Sequence, residues 1–331
     1  MALDWNDCRK AGEAIWNGED FDRGAEVLGR LGWEIWDRPL AEQQRRWGLL
    51  LPARVDAKRP LVVLIHGLDG DEQCCQALGQ LLGAEGFQTA IFCYPAEEPI
   101  SRSGAMLAEH CAALRETFPN LKVEFVTQSM GGLVARDYVE GDDYAGGVDR
   151  LIMIAPPNGG SDWAGWSPVN KLIVNWQRWL SDPEWSAVWM LGEGFCQSGR
   201  DLKPGSEFLS QLNGRGRRAG VRYTIIAGDQ PAGDRVAAEA LDAAASALPM
   251  ALGESWGVGE IRRSALNWAE ALREKIGGSD GPVSLGKARL AGVGDVVVLH
   301  ADHLSLYESV DGAVPAAWPV VRQRLESTDG P

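Results

Sequence analysis

Ser129 is the residue around which chemistry could be organised. It interrupts Val123-Glu124-Phe125-Val126-Thr127-Gln128-Ser129-Met130-Gly131-Gly132-Leu133-Val134-Ala135-Arg136, an apolar strand pattern that breaks at the serine, passes two glycines and resumes as a helix. A strand–Ser–helix turn of this kind is a nucleophile elbow, which lifts the hydroxyl above the sheet on a sharp, strained bend. Small neighbours let the bend approach adjacent backbone, and the new helix points its positive end at developing negative charge. The usual pattern is G-x-S-x-G. Gly131 fills its second glycine, but Thr127 stands at the first. A bare Ser-x-Gly is common by chance, so the strand and helix context carries the weight, and the plain alternative is a serine that only caps a helix.

A serine hydroxyl needs a general base. The chain has four histidines: His66, His110, His300 and His303. His110 falls in the middle of a helical pattern and reads as a surface or partly buried residue. His66, in His66-Gly67-Leu68-Asp69-Gly70 after an apolar strand, reads as support for its own loop. His300 ends a strand pattern and His303 falls in the loop beyond it, and catalytic groups of open α/β sheets gather at such carboxyl ends. His303 is therefore read as the base, with His300 as competitor. The acid that orients the base should lie between the serine and His303. Asp280, in Ser279-Asp280-Gly281-Pro282-Val283, is the first candidate, and Asp229 and then Asp234 compete with it. Donors for a developing oxyanion would be the backbone N–H groups of Leu68 and Met130, from the loop after the first long strand and the residue after the nucleophile.

Such residues must be held by a scaffold. Strand patterns occur at 46–52, 61–65, 88–93, 122–128, 150–155, 221–227 and 296–300, with helical patterns at 75–85, 103–118 and 131–139. Strand–helix alternation predicts a mostly parallel α/β sheet flanked by helices. The expected organisation is an N-terminal helical pair at 1–45 and one α/β domain over 46–331. A Trp-rich cap or lid at 158–200 and an Ala-rich helical insertion at 232–275 are expected to interrupt that domain.

Composition narrows the function classes. The 331 residues carry 32 Lys+Arg against 46 Asp+Glu, a formal net charge of −14. That balance argues against a nucleic-acid partner, which needs a basic face, and against docking on anionic lipid. No run of about 18 apolar residues exists, so no membrane-spanning segment is expected. Asp4, Asp7, Arg9, Lys10 and Glu13 stand where a signal peptide would be apolar. The expectation is a cytoplasmic protein, or one whose export signal has been removed. Cys8, Cys74, Cys75, Cys93, Cys111 and Cys196 show no C-x-x-C spacing and read as reduced thiols, with no zinc or other metal site. The 14 Trp outnumber 7 Phe and 5 Tyr. Six fall within the expected cap, and of these Trp163, Trp166, Trp176 and Trp179 are candidate substrate contacts in an apolar cover. The same helical spacing would equally suit the core of a small cap.

With Ser129, Asp280 and His303 in this order, the chain resembles the α/β-hydrolase superfamily. Within it, the chain is similar to triacylglycerol-lipase and inositol-deacylase-like serine esterases. Four segments carry the resemblance: His66-Gly67-Leu68, Gln128 to Arg136, Ala155-Pro156-Pro157-Asn158-Gly159-Gly160-Ser161, and Asp201-Leu202-Lys203-Pro204-Gly205-Ser206. It spans about 47–310 and leaves the N-terminal helices without a counterpart. The resemblance implies a cofactor-free carboxylesterase or lipase acting through an acyl-enzyme, and an aromatic cover at 158–200 would favour apolar acyl or aromatic esters, small or lipid-like, as substrates. Some relatives bind a structural calcium or zinc, but no ligand cluster stands out here. Two alternatives share the sequence features. One is a catalytically silent binding protein on the same fold, and the other is a thioesterase or amidase using the same triad.

Overall fold

The run Leu61-Val62-Val63-Leu64-Ile65 is buried along its whole length, as a strand covered on both faces must be. In the computed structural model it becomes β2 of a seven-stranded sheet. The structure describes residues 47–68, 75–96, 98–161, 197–230, 278–310 and 312–327, with isolated helical positions at 242, 246, 262, 263 and 266. The strands are β1 (Gly48–Leu50), β2 (Leu61–Ile65), β3 (Gln88–Cys93), β4 (Val123–Gln128), β5 (Val148–Ile154), β6 (Arg222–Gly228) and β7 (Val296–Leu299). Their order is β1-β3-β2-β4-β5-β6-β7. All neighbours are parallel except β1, which runs antiparallel to β3.

Side chains alternate across this sheet and build two cores. Leu61, Val63 and Ile65 of β2 join Val123 and Phe125 of β4 on one face. There they meet α2 (Ile100–Thr117), α3 (Gly131–Val139) and α5 (Glu207–Gly214) through residues such as Leu107, Leu133 and Leu209. Val62, Leu64 and Val126 turn to the other face, against α1 (Gln76–Ala84) and α7 (Trp318–Glu326) through Leu78, Leu82, Val321 and Leu325. Two short helices, α4 (Gln197–Asp201) and α6 (Leu285–Ala288), complete the described elements.

The strand order reverses between β2 and β4, which are neighbours although β3 lies between them in sequence. In an open α/β sheet such a switch point opens a crevice at the carboxyl ends of the strands. His66 and Ser129 leave β2 and β4 on that side.

Each expected strand is present, those at 61–65 and 88–93 with the expected bounds and the others with shifted ends. The first shrinks from 46–52 to Gly48–Leu50, stopping short of Pro52, which has no N–H to add to a ladder. The helix expected at 103–118 begins earlier, at Ile100, where Asp201 Oδ2 accepts from the Ile100 N–H at 2.9 Å. The N-terminal helical pair and nearly all of the Trp-rich and Ala-rich segments lie outside the described residues. Among the described residues, no helix is long and apolar enough to cross a membrane.

Candidate active site

Ser129 follows β4 directly and has φ +49°, a left-handed conformation that costs an L-residue roughly 1–2 kcal/mol. The bend is held by the Ser129 N–H donating to Ile154 O of β5 at 2.8 Å. Gly131 is required by contact. A Cβ there would lie 2.4 Å from His66 O and 2.7 Å from Ile65 O, so α3 starts directly against the end of β2. Gly132 is crowded more mildly, by Pro156 Cβ at 3.2 Å and Thr127 Oγ1 at 3.3 Å. The Thr127 side chain is buried under the helix start, where its hydroxyl donates to Ile152 O at 3.3 Å.

His303 Nε2 lies 3.0 Å from Ser129 Oγ, and its Nδ1 lies 2.8 Å from Asp280 Oδ2. An ionised carboxylate only accepts, so Nδ1 carries the proton and Nε2 is left to accept from the serine hydroxyl. The structure thus brings together Ser129, His303 and Asp280, the three first candidates. Asp280 is fixed on both sides. Its Oδ1 accepts from Val283 N–H at 2.9 Å, and its carbonyl accepts from His303 N–H at 3.0 Å. The Tyr307 ring meets the imidazole edge-on at 5.9 Å between centroids.

Asp280 reaches this place because the chain returns to where it left. A Cβ on Gly228, the last residue of β6, would stand 2.9 Å from Asp280 Cβ. The expected 232–275 insertion therefore separates in sequence two points that touch in space.

The other candidates sit elsewhere. His300 Nδ1 pairs with Asp229 Oδ1 at 2.9 Å, beside the Gln230 amide, and does not reach the serine. His110 packs edge-on to Phe92 under Gly48. His66 is fully buried and supports its loop. Asp234, Trp163, Trp166, Trp176 and Trp179 lie outside the described residues. Leu68 and Met130 flank the serine: the Gly67 backbone approaches Ser129 so closely that a Cβ would be 3.1 Å from Ser129 Cβ. Among the described residues, neither the Leu68 nor the Met130 N–H donates to an acceptor.

The two remaining motifs turn out to be struts. Arg136, buried in α3, donates to both carboxylate oxygens of Glu140, to Asn158 Oδ1 at 2.9 Å and to Asn213 Oδ1 at 3.0 Å. Burial pushes the Glu140 carboxyl up and the Arg136 guanidinium down, each opposed by its partner. Ser206 caps α5 by accepting from Leu209 N–H at 3.2 Å, and donates to Asp201 O at 2.6 Å. A Cβ on Gly160 would strike Pro204 at 2.8 Å, so the third and fourth motifs pack on each other. Sequence reasoning missed Tyr94, whose ring stacks on His66 at 4.2 Å, and the strained backbone of Ala155, the first residue of the third motif, buried with φ +52°. No local pattern marks Tyr94, and the motif that begins at Ala155 does not reveal its positive φ. Among the described residues, no three His, Cys, Asp or Glu side chains converge as metal ligands.

A mostly parallel sheet with a strained serine after its central strand and His and Asp from later loops defines the α/β-hydrolase fold. The solved structures that match the chain share it. Mature lipase BlEst2 of Bacillus licheniformis matches with a TM-score of 0.50 and 22% identity, over 85% of this chain and 98% of its own. Lipase 1 from Pelosinus fermentans matches with a TM-score of 0.50 and 13% identity, over 82% and 99%. Phospholipase PlaB from Legionella pneumophila gives 0.50 and 17% over 82% of this chain, which spans 60% of that protein's length. At these identities the likeness is one of fold. No protein-family model matches the sequence, and neither does any curated protein sequence.

Proposed function

We propose that the protein is a serine carboxylic-ester hydrolase working through an acyl-enzyme. The reading is carried by the imidazole of His303, bridging Ser129 Oγ at 3.0 Å and Asp280 Oδ2 at 2.8 Å. Ser129 Oγ attacks the ester carbonyl carbon as its proton passes to His303 Nε2. Asp280 stabilises the imidazolium, and the Leu68 and Met130 N–H groups receive the oxyanion. Collapse breaks the acyl C–O bond, and His303 protonates the departing alkoxide. Water then attacks the acyl-enzyme, giving its proton to His303, and the acid leaves as Ser129 regains its proton. Backbone donors beside the nucleophile without an acceptor among the described residues are what such a step requires, since oxyanion stabilisation is often the largest catalytic contribution.

Apolar acyl or aromatic esters fit best. Leu304, next to the base, is 52% exposed, and the tryptophans at 163–179 follow the same part of the chain order as a cap. Purified protein is expected to hydrolyse p-nitrophenyl acyl esters, and an acetyl-to-palmitoyl series gives the chain-length preference. A serine-reactive fluorophosphonate should label Ser129. Turnover unchanged in Ser129→Ala, or no labelling of Ser129, sinks the assignment.

A further inference from the structure

The loop that offers Leu68 hinges on Gly67. Glycine permits many backbone orientations, so this peptide needs an external latch if its N–H is to face a substrate reliably. The latch is visible in the histidine before it. The backbone N–H of Tyr94 donates to His66 Nε2 at 3.2 Å, so Nε2 is an acceptor and the ring proton sits on Nδ1. That proton is donated to Gly67 O at 2.9 Å. In a planar trans peptide the C=O and the following N–H point in opposite directions. Holding Gly67 O against the imidazole therefore turns the Leu68 N–H away from it.

Tyr94 holds the preceding peptide as well. Its hydroxyl donates to His66 O at 2.8 Å, and its ring stacks on the imidazole at 4.2 Å with 5° between planes. The same His66 carbonyl is the atom that excludes a side chain from Gly131. Two successive carbonyls, 66 and 67, are thus fixed by one fully buried His–Tyr stack, on the floor beneath the nucleophile.

We propose that His66, backed by Tyr94, is a positioning residue that fixes the orientation of the Gly67–Leu68 peptide and so keeps the Leu68 N–H available as an oxyanion donor. The proposal rests on the esterase reading above. It assigns no proton transfer to His66, which acts only through the peptide.

Two amide replacements separate its functions. In His66→Asn the amide NH₂ falls near the Nδ1 position and can still donate to Gly67 O. In His66→Gln the amide reaches only the Nε2 position, so the Tyr94 contact survives and the Gly67 latch is lost. His66→Gln is expected to lose about 100-fold in kcat with KM within about twofold, the signature of one missing oxyanion donor. His66→Asn should recover most of that loss, to within roughly tenfold of wild type. Equal kcat in the two variants, or a loss confined to KM, overturns the proposal. Nitrogen-15 NMR of the unmutated protein tests the latch without relying on variants that fold. A His66 signal protonated at Nδ1 and not at Nε2 supports it, and the opposite tautomer overturns it. Wild-type protein with no Ser129-dependent turnover would instead sink the esterase reading, while the tautomer still reports on the latch.

Discussion

Two histidine–aspartate pairs meet at the end of β7, their histidines three residues apart in sequence, and their first contacts are nearly identical. His303 meets Asp280 at 2.8 Å and His300 meets Asp229 at 2.9 Å, each through Nδ1. What differs is everything around them. The side chains of His303 and Asp280 are 12% and 1% exposed, whereas those of His300 and Asp229 are 76% and 37% exposed. The free edge of His303 faces Ser129, while that of His300 faces the Gln230 amide. An exposed pair competes with water and is worth little, whereas a buried carboxylate with both oxygens committed holds an imidazole in one tautomer and one direction. Contact distance therefore does not identify a catalytic dyad. Burial and the third partner are what single out His303 and Asp280 for the proposed catalytic role.

Substitution should split the two pairs most sharply at the histidines. His303→Ala is expected to lower kcat by about 10⁶-fold, as when a triad base is removed, while His300→Ala stays within about twofold. Steady-state kinetics on a p-nitrophenyl ester measures both, and comparable losses would erase the distinction between the two pairs. At the acids the contrast is next in size. Asp280→Asn should cost about 10⁴-fold in kcat by favouring the wrong tautomer, and Asp229→Asn should cost nothing measurable. A third change strikes the junction between the pairs. Gly228→Ala would place a Cβ 2.3 Å from Ala301 O and 2.9 Å from Asp280 Cβ. Overpacking of this kind costs about 1–3 kcal/mol or more, and here it must also move the acid. Urea denaturation should show the destabilisation and kinetics a parallel fall in kcat. Wild-type activity in a destabilised Gly228→Ala would mean that Asp280 need not be held so tightly.

The comparison also marks what could be read from residue order. The buried strands were legible because burial on both faces writes itself as continuous apolar runs, as at 61–65 and 123–126. Ser129 was legible because a strained bend demands small neighbours in fixed positions. The preference for His303 over His300 could be argued from its place beyond the strand, and that for Asp280 over Asp229 from its Ser279–Val283 loop, but the contact that seats Asp280 is not written locally. It depends on the 229–279 excursion closing on itself at Gly228, a contact between residues 52 positions apart in the chain. Tyr94 was illegible for a similar reason. It follows β3 in sequence, yet its partner His66 belongs to the end of β2, and only the parallel pairing of those strands brings them together.

The smallest expected effect concerns strain, which also divides the two regions. Among the described residues the non-glycine positions with positive φ are Ser129 and Ala155, at the carboxyl ends of the neighbouring strands β4 and β5, and neither the His300 nor the Asp229 backbone shares it. Ala155 gains nothing from a hydroxyl, so its strain can be weighed alone. Replacing it with glycine removes a left-handed penalty of roughly 1–2 kcal/mol. Against that stand the extra unfolded-state entropy of glycine, roughly 0.4–1 kcal/mol, and the loss of a fully buried methyl worth about 0.8 kcal/mol. The opposing effects nearly cancel, so Ala155→Gly should shift stability in urea by less than about 1 kcal/mol and leave kcat unchanged. A fall in kcat without loss of stability would give the Ala155 methyl a different meaning. It would then be what holds the Ile154 carbonyl on the Ser129 N–H, and the strain on β5 would belong to the same device as the strain on β4.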